Sequence, residues 1–363
     1  MKKRTRLRRP TAVSLFSGCG GLDLGLKESG IDVVLANDAD KYCVASFREN
    51  FPDVPVYEGS VTDLKPAKMR QVSTRAVEGE VDLVFGGPPC PPFSKSRFYR
   101  KEMPRGLNDP VGFETLTGYM DVVKRLRPKV FLLENVPGFA YGVQRQALDF
   151  VLERAESLGY ATNFGVLDSA SYGVPQRRQR FFLVASKFGK VALPAPTHRD
   201  PADSDLFASA LKPWVTAGDV LNDLDTEEQA DDTGHFAGGR HHDLLVEVPP
   251  GENYLHFTKE RGHPTPQFKW RSRYWSFLLK LSPSLPSWTI QARRSNNMGP
   301  FHWRNRILRI EEVKRLQTFP DDWFLSGTVE RQWRQLGNAV PPKMAAALGR
   351  AIVSHLSTHT EEE

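Results

Sequence analysis

Apolar runs and helical spacing alternate along the first half of the chain. Short, almost wholly apolar runs predict buried strands, and they cover residues 11–16, 32–38, 81–85 and 129–135. Between them, apolar side chains recur every three to four residues, which predicts helices near 22–29, 39–50, 113–127 and 143–158. Strands that alternate with helices favour a parallel, doubly wound α/β sheet, whose ligands gather at the carboxyl ends of the strands.

The pattern changes after a further apolar run at 178–188. Residues 190–306 are rich in proline, histidine and tryptophan and show little helical period, whereas helical spacing returns at 310–319 and 342–356. We therefore predict a catalytic domain interrupted by a smaller one. The predicted segments are a basic arm (1–10), the catalytic domain (11–189), the inserted domain (190–306), a return to the catalytic domain (307–357) and an acidic tail (358–363).

Charge is concentrated in particular segments. The formal net charge is +6, and six basic residues lie among the first nine, so the rest of the chain is neutral. This arm either solubilises the protein or contacts phosphates. Residues 190–252 carry 13 acidic and 4 basic groups, whereas 253–306 carry 1 acidic and 10 basic groups. The basic part includes "FKWRSRYW" at 268–275, which suits phosphate contacts and base stacking, or else a small aromatic core with a basic rim.

Several features exclude other classes of protein. No run approaches the roughly 18 apolar residues of a membrane span, and the charged start "MKKRTRLRRP" does not lead into the apolar region of a signal peptide, so we expect a cytoplasmic protein. Cys19, Cys43 and Cys90 form no CxxC pair, and we expect reduced thiols. The histidines lack a tight metal spacing, and no metal site is predicted.

A glycine turn, "SGCGG" at 17–21, follows the first predicted strand. Asp38 ends the second strand, twenty residues after Gly18. In such a βαβ unit, glycines let the backbone approach a ligand, and the acidic residue holds ribose hydroxyls. Because Asp23 occupies the place of the third glycine, this fingerprint is incomplete and does not identify the ligand by itself.

Three further segments offer reactive side chains near strand ends. Cys90 lies between two proline pairs in "GGPPCPPFSKS"; the stiff loop suits a presented nucleophile, whereas a structural cysteine would more commonly lie inside a strand. Glu134 ends the next strand, where partial desolvation suits a group that holds or gives a proton; a helix cap or a salt bridge is the alternative. In "QRRQR", alternation predicts that Arg178 and Arg180 share one side, where they grip a carbonyl oxygen or position the acid.

The ordered motifs "LFSGCGG", "GGPPCPPFS", "ENV", "QRRQR", "EEVKRLQTFPDD" and "QLGNAVPP" resemble those of the DNA (cytosine-5)-methyltransferases. They cover about residues 11–187 and 308–350. The resemblance implies a class I S-adenosylmethionine-dependent fold, a Rossmann-like doubly wound sheet, with a smaller target-recognition domain inserted. It also implies methyl transfer from S-adenosylmethionine to C5 of a cytosine flipped out of a specific sequence in double-stranded DNA.

The resemblance also implies roles for individual residues. Cys90 attacks C6 of the cytosine to form a covalent adduct, Glu134 contacts N3 and the amino group, and Arg178 or Arg180 contacts the pyrimidine or orders the acid. The implied cofactor-binding residues are Phe16, Gly18, Gly20, Gly21, Leu22, Asp38, Ser60, Pro88, Asn338 and Val340. The expected DNA contacts, from the 93–110 loop and the inserted domain, are Ser94, Lys95, Arg97, Arg100, Lys101, Arg271, Arg273, Arg293 and Arg294.

Three positions depart from the family pattern. Pro91 stands where a glutamine usually follows the cysteine, which removes a possible contact inside the DNA. Ser60 stands where an acidic residue often contacts adenine, and Asp63 is a poor substitute. Val111 replaces a common arginine, so phosphate contacts of that loop differ.

Four alternatives remain to be separated. An amino-methyltransferase would carry an aromatic residue at the place of Cys90, and a tRNA cytosine-5 methyltransferase would carry a Cys-Phe-Thr signature where this chain reads "HFTKE". A catalytically silent DNA-binding relative would not need Cys90, Glu134 and Arg178, and an oxidoreductase would show the full glycine pattern. We expect a monomer; a cognate restriction system, phage defence or a phage are all open as its context.

Overall fold

The chain divides into two compact units. The computed structural model describes residues 8–89, 110–141, 145–203, 210–226, 237 and 239–360. Unit 1 comprises Met1–Leu167, Gln179–Ala195 and Pro342–Glu363, and unit 2 comprises Asp168–Arg178 and Pro196–Pro341. The second unit therefore extends past the predicted boundary at 306, because residues 307–341 pack with it instead of returning to unit 1.

The helices and strands include each predicted one in its predicted place and several short ones that were not predicted. The strands are β1 (Thr11–Leu15), β2 (Asp32–Asp38), β3 (Val56–Glu58), β4 (Leu83–Gly86), β5 (Val130–Asn135), β6 (Ala161–Asp168), β7 (Gln176–Arg177), β8 (Gln179–Ser186), β9 (His198–Arg199), β10 (Lys212–Pro213) and β11 (Ser287–Trp288). The helices are α1 (Gly21–Glu28), α2 (Lys41–Asn50), α3 (Pro66–Val72), α4 (Pro110–Leu126), α5 (Arg145–Ser157), α6 (Ala217–Leu221), α7 (His242–Glu247), α8 (Ile310–Leu316), α9 (Val329–Asn338) and α10 (Pro342–Thr360). Short 3-10 helices cover Val61–Asp63, Pro137–Ala140, Ser169–Tyr172, Tyr254–Phe257 and Lys259–Arg261.

A seven-stranded sheet is built from these strands in the order β3-β2-β1-β4-β5-β8-β6. β1 runs parallel to β2 and β4, β2 runs parallel to β3, and β4 runs parallel to β5, whereas β8 is antiparallel to β5. The central strands β1 and β4 are wholly buried and mainly apolar, as expected where helices cover both faces of parallel strands. The predicted α/β class is confirmed, while the reversed strand β8 was not predicted.

The last helix returns the chain to unit 1. Ser29, at the end of α1, donates a 2.9 Å hydrogen bond to the carbonyl of Ala346 in α10. A Cβ on Gly25 would lie 2.5 Å from the Cβ of Ala345, so α1 and α10 approach so closely that only glycine fits there. None of the helices in the described ranges is long and apolar enough to cross a membrane.

Unit 2 contains little regular structure and is held together by rings and buried polar groups. Phe268 packs edge-on against Tyr254 and Phe277, with ring centroids 5.8 and 5.6 Å apart. Glu312 in α8 is fully buried, and both its oxygens accept hydrogen bonds from the guanidinium of Arg306, at 2.9 and 2.7 Å. A buried carboxylate paired in this bidentate way anchors the segment that precedes α8.

Candidate active site

The glycine turn lies at the carboxyl end of β1 and is tied to the end of β2. Phe16, Gly18 and Gly20 all have left-handed backbone, with φ of 55°, 56° and 86°. The carboxylate of Asp38 accepts hydrogen bonds from the backbone N–H of Gly18 and of Asp40, both at 2.8 Å. Burial raises the pKa of Asp38, and these two hydrogen bonds oppose that shift. The acidic residue at the end of β2 therefore fixes the conformation of the turn.

The space around the turn differs from one glycine to the next. An added Cβ on Gly20 would lie 2.5 Å from the Phe51 ring, whereas an added Cβ on Gly18 would meet no atom within 4 Å. The open side at Gly18 lets a ligand approach the backbone, and Asp38 lies beside it with a carboxylate that suits ribose hydroxyls. These residues fit an adenosine-containing cofactor.

The other predicted cofactor residues of unit 1 have structural partners. Gly21 and Leu22 are buried in the first turn of α1. Ser60 caps the 3-10 helix after β3, and its hydroxyl accepts from the N–H of Thr62 at 3.3 Å. Pro88 follows β4, and its carbonyl accepts from the side-chain amide of Asn135 at 3.2 Å.

A buried ion pair lies at the carboxyl end of β5. The Nε atom of Arg180 is 3.1 Å from Oε1 of Glu134, and the two side chains are only 12% and 7% exposed. The pair forms because β8 runs antiparallel to β5, which brings the start of one strand beside the end of the other. Thus two of the four predicted catalytic residues are brought together within unit 1.

Gly87 provides the space in which the Glu134 carboxylate lies. An added Cβ on Gly87 would be 2.5 Å from Oε2 of Glu134, so a larger residue would displace the carboxylate. Together with the Asn135–Pro88 hydrogen bond, this contact places the segment directly before Cys90 against the end of β5. Sequence reasoning missed this role of Gly87, for which the double glycine before the prolines was the available signal.

Arg178 has different partners from Arg180. Its side chain is fully buried in unit 2, where it donates to the carbonyl oxygens of Ile290 (3.0 Å) and Gly337 (2.7 Å). The alternation that predicted one shared side does not extend through this residue, because β7 ends at Arg177 and β8 begins at Gln179. Arg178 therefore crosslinks segments of unit 2.

The late motif residues lie at the end of α9 in unit 2. Asn338 is the last residue of this helix and is exposed, and Val340 is buried two residues later. The preceding Gly337 is confined, since an added Cβ would lie 2.6 Å from the Cα of Ala292. With its carbonyl bound by Arg178, this segment has a defined conformation, and its contact with a cofactor stays a prediction.

The basic segment of unit 2, residues 253–306, contains both an aromatic core and exposed rings with exposed arginines, the two alternatives given by the sequence. Phe268 belongs to the aromatic core, whereas Trp270, Tyr274 and Trp275 are exposed. Arg271, Arg273 and Arg293 are also exposed. Arg294 differs, because its side chain is 12% exposed and its Nη1 atom is 3.2 Å from the carboxylate of Glu330.

Several predicted residues lie outside the described ranges. They are Cys90, Pro91, Ser94, Lys95, Arg97, Arg100 and Lys101. Val111 falls within α4. Among the other cysteines, Cys19 is 1% exposed, and burial raises the pKa of its thiol to about 12, which keeps it protonated; Cys43 is half-buried.

The strand order and the glycine turn together define an α/β methyltransferase fold. Residues 11–354 match the family model for C-5 cytosine-specific DNA methylases. The chain therefore belongs to this family and is a DNA (cytosine-5)-methyltransferase. The family resemblance, the fold class and the enzyme class predicted from the sequence are confirmed.

Known proteins are similar along nearly the whole chain. The type II methyltransferase M.SacI of Streptomyces achromogenes is 36% identical over 368 residues, covering 95% of this chain and 93% of that protein. M.NgoFVII of Neisseria gonorrhoeae is 30% identical over 358 residues, covering 98% and 89%. A solved structure described as a DNA modification methyltransferase from an E. coli prophage has a TM-score of 0.68 at 20% identity, covering 96% and 99% of the two chains, and supports the fold.

Proposed function

We propose that this enzyme transfers a methyl group from S-adenosylmethionine to C5 of a flipped-out cytosine in duplex DNA, through a covalent bond between Cys90 and C6. The observation that carries the proposal is the Glu134–Arg180 pair at the end of β5, with Glu134 beside Gly87, three residues before Cys90 in the chain. An acid and a cation held beside the start of the cysteine loop are what an addition to a pyrimidine ring requires.

The nucleophilic step belongs to Cys90. Its thiolate forms the S–C6 bond, and the C5–C6 electron pair moves to C5, which becomes able to accept a methyl group. Elimination of the Cys90 sulfur, with loss of the C5 proton to water, then restores the ring. Cys19 cannot substitute, because its buried thiol has a pKa of about 12.

Glu134 and Arg180 act on the base in this proposal. Glu134 shares a proton with N3 during the addition and so stabilises the charge that would otherwise develop on the ring. Arg180 holds the Oε1 side of this carboxylate at 3.1 Å and thereby orients it. Both residues sit on strands of one sheet, which gives the rigid placement that such proton sharing needs.

The cofactor would lie at the glycine turn. S-adenosylmethionine supplies the electrophilic methyl group when bound. The open backbone at Gly18 would border the cofactor, and Asp38 would accept hydrogen bonds from its ribose hydroxyls. Asn338 and Val340 would contact the methionine end, and the Ser60 position would border adenine.

Unit 2 would recognise the DNA. Its exposed arginines and rings, Arg271, Arg273, Trp270, Tyr274 and Trp275, offer phosphate contacts and stacking surfaces. Because M.SacI and M.NgoFVII are type II methyltransferases, we propose that this enzyme likewise protects DNA beside a restriction nuclease. We further propose that it acts as a monomer in the cytoplasm.

The test is product formation by the purified protein. Incubation with labelled S-adenosylmethionine and duplex DNA should yield 5-methylcytosine, and Cys90→Ala and Cys90→Ser should both abolish it, with Cys43→Ser as the control that retains activity. Duplexes with 5-fluorocytosine at the target should trap a covalent adduct, since the C5 substituent cannot leave as a proton. Label found in tRNA alone would contradict the DNA assignment.

A further inference from the structure

Arg177 in unit 2 is held between two indole rings. Its guanidinium carbon lies 5.2 Å from the ring centroid of Trp214 and 5.0 Å from that of Trp288. β7 and β11 are paired in parallel with Arg177 opposite Trp288, and the hydroxyl of Thr289 donates to the Arg177 carbonyl at 2.8 Å. The backbone N–H of Trp214 donates in turn to the carbonyl of Arg199 at 2.9 Å, which fixes the main chain at this tryptophan. Paired backbone therefore sets the position of this cation.

The guanidinium forms no close ion pair in the described part of unit 2, although it acts electrostatically on Asp168 and opposes the burial-driven rise of the pKa of that carboxyl group. Arg177 forms no ion pair or side-chain hydrogen bond there, and its Nε atom and the Nε1 atom of Trp214 are buried without an acceptor. Asp168 is the nearby acidic residue, but one of its carboxylate oxygens accepts from the backbone N–H groups of Ala170 and Arg178. A half-buried cation and two N–H donors thus lack an oxygen acceptor.

This environment suits a phosphate group. Contact with two indole rings restricts the conformational freedom of the arginine, and its planar fork matches the oxygens of a phosphate. The ring system also continues toward solvent, because Trp288 packs edge-on against Trp275 at 5.6 Å and Trp275 is 50% exposed. A cation beside an exposed ring is the combination found where a backbone phosphate and a neighbouring base are bound together.

We propose that Arg177, clamped between Trp214 and Trp288, is a phosphodiester-binding site by which unit 2 grips the DNA backbone, with Trp275 covering the adjoining nucleotide. This inference rests on the proposed function, because it takes duplex DNA as the ligand. Arg177 acts in positioning the DNA and takes no part in the chemistry of the base.

The salt dependence of DNA binding tests the site. For Arg177→Gln, affinity for duplex DNA should fall about tenfold at low salt, and the slope of log affinity against log salt should become shallower by about 1, because one phosphate contact is lost. Arg177→Lys should keep the slope but recover only part of the affinity, since it retains the charge and loses the fork. The control is Arg350→Gln on α10, an exposed arginine of unit 1, which should change neither quantity.

Steady-state kinetics supply a second measurement. Arg177→Gln should raise KM for DNA about tenfold while kcat at saturating DNA and KM for S-adenosylmethionine stay unchanged, whereas a purely structural role would lower kcat and the melting temperature. If Arg177→Gln does not fold, the affinity difference between the parent and Arg177→Lys decides the question. If folded Arg177→Gln shows the same slope of log affinity against log salt as the parent, the phosphate-binding role of Arg177 is wrong, while the proposed function stands. If the parent enzyme does not bind duplex DNA, the proposed function and this inference are both wrong.

Discussion

At the scale of single residues, the candidate site depends on two glycines, whose lack of a side chain leaves space for other groups. Gly87 leaves room for the carboxylate of Glu134, and Gly18 leaves the backbone open beside Asp38. Both glycines follow parallel strands of the sheet, at the carboxyl ends where ligands bind in this fold. At Gly87, whose backbone is not left-handed, an added methyl group should therefore act on the chemistry more than on folding, whereas at Gly18 the left-handed φ of 56° would strain any side chain.

Gly87→Ala tests this view. The added Cβ would lie only 2.5 Å from Oε2 of Glu134 and would push the carboxylate away, so we expect kcat to fall about a hundredfold, as for a displaced catalytic group. The measurement is methyl transfer at saturating DNA. Gly165→Ala is a matched control, because its Cβ would meet the flexible Leu193 methyl at 2.9 Å, and it should retain activity. Equal activity of the two variants would refute the role given to Gly87.

At the scale of elements, the start of α1 combines a favourable and an unfavourable effect on Asp23. This carboxyl group lies in the first helical turn, where a negative charge is favoured, yet it is fully buried. Burial raises its pKa to about 7, although the hydroxyl of Ser14 in β1 opposes the shift. The helix therefore begins on an acid that is largely protonated below neutral pH.

This shift makes the stability of unit 1 depend on pH. Because the folded pKa is above the unfolded one, the folded state binds more protons between about pH 4 and pH 7, and the stabilising contribution present below pH 4 is lost as the pH rises to 7. Asp23→Asn cannot ionise, so the unfolding free energy of the variant relative to the parent should increase by up to about 4 kcal/mol between pH 4 and pH 7. Above pH 7 this difference should stay constant. Denaturant melts at several pH values give the difference; a difference independent of pH would contradict the shift.

At the scale of the whole molecule, the "QRRQR" motif is divided between the two units. Arg178 belongs to unit 2 and Arg180 to unit 1. In unit 2, Gln176 donates to the side chain of Gln317 at 3.0 Å, and Gln317 donates to the carbonyl of Leu336. Motifs that are distant in sequence thus build the interior of unit 2, which explains why residues 307–341 do not form a separate return to the catalytic domain.

The two arginines should respond differently to the same substitution. Arg178→Lys replaces two donors to carbonyl oxygens with a single ammonium group, and a buried acceptor left unsatisfied costs about 1–3 kcal/mol, so the melting temperature should fall by several degrees. Arg180→Lys should lower kcat about tenfold or more with little change in melting, because the Nε contact with Glu134 is lost. Calorimetry and methyl transfer on both variants measure the contrast, which would be reversed if Arg178 were the residue that orients the acid.

Much of the fold was determined by local sequence. Buried strands such as "VFLLEN" and "TAVSL" are mainly apolar because both faces of parallel strands are covered, so their positions could be predicted from residue type alone. The glycine turn and the acidic end of β2 were predictable for a similar reason, since a left-handed backbone and a ribose contact each require particular residue types. The ordered motifs then indicated the family.

Tertiary structure decided which side chains meet. The ion pair between Glu134 and Arg180 depends on β8 inserting antiparallel beside β5, and no residue in either strand specifies that neighbour. The clamp on Arg177 likewise depends on Trp214 and Trp288, which are distant in sequence. Local sequence patterns indicate whether a position is buried, because burial acts on each residue separately. Which distant residues come into contact depends on the path of the whole chain, and only the folded structure determines that path.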